Sequence, residues 1–252
     1  MKYIYKIIPF AILTFALTGC NVDDDDPVTV AEKRSLEASL GVQTEIIAID
    51  DNLTSYELVV NFSEALPSYS SIEYTVDSEL GSVSGNTGDT SVRIPLNFEV
   101  GVNFRDVSIV GFHVVNADAR NILPSISGLT TTKVMKQGTV ISTLTWEGTA
   151  NLDFYFDVMT PTWNWAFVTL DVSSGSTNEE TVSAIIDDGN YAFWISTNGA
   201  PADYPYVITV TTATGTQSFN GTVTGNSWNL WFTKSTNASG AVSYTFYTED
   251  PA

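Results

Sequence analysis

The chain has 252 residues, with 29 acidic against 10 basic and a net charge of −19 at pH 7. A surface this negative argues against nucleic acid, whose phosphates need a basic face, and against adsorption to anionic lipid head groups. Disorder is not the source of the charge: only 15% of residues are charged and 12% are aromatic, so a core can form.

The first 20 residues read MKYIYKIIPFAILTFALTGC. Lys2 and Lys6 make a short basic start, and an apolar run follows from Ile7 to Leu17, broken only by Pro9 and Thr14. That run has the length of a signal-peptide core and falls short of the roughly 20 apolar residues that span a bilayer. Leu17-Thr18-Gly19-Cys20 resembles the lipobox of bacterial lipoproteins. The resemblance implies cleavage before Cys20, lipid on its thiol and attachment to a membrane through that lipid. Cys20 is the only cysteine, so the chain has no internal disulfide and, once acylated, no thiolate for catalysis. Loss of residues 1–19 removes two basic residues and no acidic one, leaving 233 residues with a net charge of −21.

Asn21-Val22-Asp23-Asp24-Asp25-Asp26-Pro27 follows. Four adjacent carboxylates repel one another and stay hydrated, as in a tether. The segment also resembles the acidic export tag of Bacteroidetes surface lipoproteins, which implies an outer-membrane address exposed at the cell surface. Residues 28–40 hold good helix formers, among them Ala31, Glu32, Lys33, Leu36 and Ala38. They predict at most a short helix or a lead-in to the first strand, so residues 20–40 are read as lipidated cysteine and tether.

Strand signals then arrive at steady spacing over 44–49, 56–62, 71–76, 91–98, 105–115 and 129–135, separated by turn residues such as Ser78–Ser82 and Ser84–Asp89. Val92, Ile94 and Leu96 alternate with Arg93 and Asn97. Short strands without long helices predict a sandwich over 41–135. The stretch around Phe62-Ser63-Glu64-Ala65 loosely resembles Calx-β and cadherin-like domains, which implies their fold; no calcium carboxylates can be placed from it residue by residue.

Composition shifts near residues 133–138. Seven aromatics lie between Asn21 and that point and 19 beyond it, including all six tryptophans, with Lys234 the one later basic residue. A second sandwich is therefore predicted over 136–252. Leu144-Thr145-Trp146-Glu147-Gly148 with Leu152–Val158, Asp188–Ile195 and Tyr206–Thr211 resemble pre-peptidase C-terminal domains, small β-sandwiches appended to secreted bacterial proteins. In Leu152–Val158 the even positions share one face, while Asp153, Tyr155 and Asp157 share the other. Strands 217–222, 227–234 and 242–248 close the chain, the last two joined by a hairpin loop at Asn237–Gly240. The fold class is all-β: two consecutive immunoglobulin-like or jelly-roll-type sandwiches after a lipoprotein signal peptide.

Catalysis finds little support. His113 is the only histidine and sits in a strand pattern, no second histidine or cysteine is available for zinc, and no nucleophile elbow or phosphate loop occurs. Asp50-Asp51-Asn52 and Asp187-Asp188-Gly189-Asn190 leave calcium as an alternative, but Asx and Gly are what turns require, so no cofactor is expected. The tryptophans carry more. Trp163-Asn164-Trp165 would put two indoles on one face if extended, and Trp194 and Trp231 alternate against apolar neighbours that look like core, Trp228 among them. Flat rings beside amides and carboxylates suit sugars, whose C–H faces stack on indole. Trp163, Trp165, Trp194 and Trp231 are thus candidate ligand-binding residues of a non-catalytic surface module, possible partners being a glycan or an outer-membrane protein. The alternative is a structural or accessory subunit of an outer-membrane complex.

Overall fold

The computed structural model describes residues 32–47, 55–175, 178–199 and 203–252, without the side chains of 165–167. Cys20, the Asp23–Asp26 run and Asp50-Asp51-Asn52 lie outside the described residues. Nearly all regular structure in the described residues is strand. One 3-10 turn, Asp118–Arg120, interrupts it, and no described helix is long and apolar enough to cross a membrane.

The first half builds two facing sheets. One has the order β6-β3-β1-β8, from β1 (Arg34–Leu40), β3 (Ser55–Phe62), β6 (Ser91–Asn97) and β8 (Ile122–Ile126). The other runs β2-β9-β7-β4-β5, from β2 (Thr44–Ile47), β4 (Ser70–Val76), β5 (Glu79–Gly85), β7 (Phe104–Val114) and β9 (Thr131–Lys136). Alternation dictates what they bury: Leu58, Val60 and Phe62 from β3 and Val92, Ile94 and Leu96 from β6 meet Ile72, Val107, Ile109 and Val134. In β7 the inward set changes from odd to even positions, because Val110 is an extra residue where Tyr74 pairs with Ile109 and Glu73 with Gly111. Phe112 and Val114 thereby stay in the core while Val110 is exposed.

Two sequence expectations need correction here. Arg34–Leu40 is a strand and not a helical turn: Leu36, Ala38 and Leu40 recur every second residue and are buried between β3 and β8, which overrides local helix propensity. Ser78–Ser82 is not a broad reversal. The chain turns on Asp77 and Ser78 alone, both with positive φ (48° and 74°), and Glu79 already pairs with Val76. Asp77 tolerates that backbone because its carboxylate accepts hydrogen bonds from Asp106 N at 2.9 Å and Arg105 Nη1 at 2.6 Å.

The second half repeats the architecture. One sheet has the order β13-β10-β15-β16, from β10 (Thr139–Trp146), β13 (Glu179–Ile185), β15 (Tyr204–Thr212) and β16 (Gly215–Val223). The facing sheet runs β12-β11-β14-β17-β18, from β11 (Asp153–Met159), β12 (Trp165–Ser173), β14 (Gly189–Ser196), β17 (Ser227–Thr236) and β18 (Val242–Tyr247). Their core is aromatic: Phe193 lies 5.4 Å from Phe154, 4.8 Å from Phe156 and 5.5 Å from Phe232, centroid to centroid. The Asn237–Gly240 hairpin forms as expected, with Asn237 Oδ1 accepting from the backbone N–H of Ser239 and Ala241.

Only Gln137 and Gly138 separate β9 from β10, and Gly138 supplies a positive φ of 81°. Asn103 braces this joint. Its Nδ2 donates to Ser183 O and Oγ, both at 3.3 Å, and its carbonyl accepts from Lys136 N. β2 pairs in parallel with β9 from Thr44↔Lys133 to Ile47↔Lys136, and Gln137 N donates to Ile47 O at 2.8 Å.

Candidate functional site

The outward face of the β12-β11-β14-β17-β18 sheet gathers the aromatic residues that the core does not use. In β11, Phe154 and Phe156 point inward, so Tyr155, Asp157 and Met159 point out. In β14, Tyr191, Phe193 and Ile195 are core, which leaves Asn190, Ala192 and Trp194 outside. In β17, Leu230 and Phe232 are core and Trp231 faces out.

Trp228 joins that outer face. Two β17 residues, Trp228 and Asn229, stand against Trp194, since Trp194 pairs with Trp228 and Phe193 with Leu230. This bulge reverses the side-chain parity of β17, so Trp228 packs with Met159, Ala192 and Trp231 outside the sandwich core. Strict alternation puts it with Leu230, which is why the sequence pattern missed it.

Two rows cross the strands. In the first, Val172, Tyr155, Trp194 and Trp228 come from adjacent strands β12, β11, β14 and β17. The Tyr155 and Trp194 rings lie 4.7 Å apart at a 42° tilt. The second row holds Thr169, Asp157, Ala192, Trp231 and Tyr247. Asp157 is 1% exposed and accepts from Thr169 Oγ1 at 2.7 Å and from Trp228 Nε1 at 3.4 Å. Burial pushes its carboxyl up from the usual carboxylate range, against the pull of those two hydrogen bonds. The Tyr155 phenol is likewise raised, by burial first and then by the charges of Asp153 and Asp157. Asp157 is too enclosed to meet a ligand; it holds the Trp228 indole in place.

The expected Trp163–Trp165 pair does not form one extended face. Trp163 has φ +62°, a left-handed conformation that bulky side chains avoid, inside a turn closed by Thr160 N to Asn164 O at 2.8 Å. The turn is held to the sheet by Asn190, whose Nδ2 donates to Thr160 O at 3.2 Å while its Oδ1 accepts from Thr233 Oγ1 at 2.9 Å. Trp163 thus packs edge-on to Tyr247, with ring centroids 5.4 Å apart, and against the Met159, Ala192 and Trp231 cluster of the outer face. The side chain of Trp165 lies outside the described residues. Trp231 is 8% exposed, at the floor of the face, while Trp194 is partly exposed.

His113 is exposed and lies 3.5 Å from Glu73. Asp188 accepts from Thr236 N and Oγ1, both at 2.8 Å, as a turn residue does. Among the described residues no group of three or more His, Cys, Asp or Glu is placed to hold a metal ion. The outer face offers ring surfaces on a rigid polar support.

No protein-family model matches the chain, and no curated protein matches its sequence. Among solved structures it is similar to the apo form of the Calx CBD1 domain, at 12% identity over 40% of this chain and 95% of that one, with a TM-score of 0.30. CBD12 from CALX1.2 is similar at 12% identity over 64% of this chain and 79% of that one, with a TM-score of 0.31. A presumed carbohydrate-binding protein from Bacteroides ovatus is similar at 8% identity over 83% of this chain and 67% of that one, with a TM-score of 0.26.

Proposed function

We propose that the protein is a lipid-anchored, non-catalytic binding module of the outer membrane that holds a glycan on the outer face of the β12-β11-β14-β17-β18 sheet. One observation carries the reading: Tyr155, Trp194 and Trp228 lie side by side outside a core already filled by phenylalanines. Indole and phenol faces left outside a packed core match the C–H faces of sugar rings. The lipid anchor rests on the leader and Cys20.

Electrophoresis through gels containing single polysaccharides tests the binding. A glycan that retards the protein, with retardation lost in Trp194→Ala and Trp228→Ala and both variants folded by circular dichroism, supports the reading. Unchanged mobility on every polysaccharide would defeat it. A second reading, an accessory subunit of an outer-membrane complex, draws on Val168, Leu170 and Val172, which are 49%, 37% and 49% exposed along edge strand β12. Crosslinking from β12 in intact cells would then capture a protein partner.

A further inference from the structure

Given that reading, we infer that the ligand is a neutral, linear glycan lying across the strands and covering about three rings. Direction and length come from the first row. Val172, Tyr155, Trp194 and Trp228 sit on four neighbouring strands, so the row runs perpendicular to the chain direction. Strands lie about 4.8 Å apart, so three intervals span roughly 14 Å, the reach of about three pyranose rings. The row is open at one end, where Val172 is 49% exposed on edge strand β12, so a longer chain can continue past it.

Neutrality comes from charge. Residues 139–252 contain eleven acidic side chains and one basic one, Lys234. Lys234 cannot meet a ligand anion, because it is 9% exposed and its Nζ donates to Ile186 O at 2.5 Å. Lys133, across the domain joint, is paired with Asp106 and lies in a cleft lined by Ile141, Thr143 and Thr181 of the opposite sheet. Asp153 and Asp157 belong to the binding face itself. A uronate or sulfate laid on the row would come beside the partly exposed Asp153 carboxylate and above the enclosed Asp157, with no cation of this sandwich free to offset them, and it would be repelled.

The test is intrinsic tryptophan fluorescence titrated with oligosaccharides of one to six units. A neutral arm uses gluco-, manno- and xylo-oligosaccharides, and an anionic arm uses oligogalacturonates and chondroitin sulfate oligosaccharides. The expected result is affinity in the neutral arm that rises about tenfold in all from one ring to three and is flat beyond. Anionic chains of equal length should bind at least tenfold more weakly, and more weakly still as salt is lowered. Trp194→Ala should abolish the dependence on length while the thermal midpoint stays within a few degrees. Anionic chains binding as tightly as neutral ones, or affinity complete at one ring, would overturn this inference while the glycan reading stands. No response to any saccharide in either arm would overturn both.

Discussion

Replacing Phe193 by alanine should unfold the second sandwich at much lower temperature and spare the first. Phe193 is fully buried and touches the rings of Phe154, Phe156 and Phe232. Truncating a core phenylalanine costs about 3–5 kcal/mol, and three ring contacts place this one near ~4 kcal/mol. The second sandwich comprises the 115 residues from Gly138 onward. At about 2.1 cal/mol/K per residue its unfolding entropy is about 0.24 kcal/mol/K, so the midpoint should fall by about 17 °C. The assay is built into the sequence: all six tryptophans lie after Gly138, so their fluorescence follows the second sandwich alone, whereas far-ultraviolet circular dichroism follows both. The fluorescence midpoint should drop while part of the dichroism persists to the wild-type temperature. A fluorescence shift below about 5 °C would refute the packing argument. An equal fall in both signals would refute the separation of the two cores.

Asp157→Asn should change how stability depends on acidity. The fold raises this carboxyl above its ordinary value of 3.8, so the contribution of the group is fully present below that pH and is lost as pH rises through the raised value. Asparagine does not titrate but keeps one acceptor oxygen for the two donors, so the stability of the variant relative to wild type should climb through the acidic range and then level off. Urea midpoints from pH 3 to 7 would show this, and a difference independent of pH would sink it. Lys234→Met leaves the Ile186 carbonyl without its charged donor and should cost about 1.5–3 kcal/mol in urea unfolding followed by tryptophan fluorescence. Asn103→Ala removes the side-chain bridge to Ser183 and about 1 kcal/mol of coupling between the sandwiches. Its small-angle scattering profile should broaden while both thermal midpoints hold.

How far the fold was legible depended on where alternation is strict. β3, β6 and β11 carry apolar residues at every second position and could be read directly. β5, β8, β12 and β13 could not. β5 is the mostly polar edge strand ELGSVSG, and β8 is a short strand containing Pro124. β13 buries Glu180 among its inward residues, which breaks the apolar signal. The aromatic face was legible through Trp194 and Trp231, whose neighbours are core. Trp228 was not, since a bulge leaves no mark in composition, and Trp163 turned on a backbone conformation that tryptophan rarely adopts. Asp157 looked like one acid among many; its weight comes from burial, which only the fold supplies.

The parallel pairing of β2 with β9 has a mechanical consequence. β1 and β2 come first in the described chain and β9 leads out to the second sandwich, so a pull applied between residue 32 and the second sandwich draws β2 toward its start and β9 toward its end. These opposed tensions slide two strands that share a direction, and every hydrogen bond from Thr44↔Lys133 to Ile47↔Lys136 is strained at once instead of peeling open singly. The first sandwich is thereby a strut that resists being drawn out lengthwise.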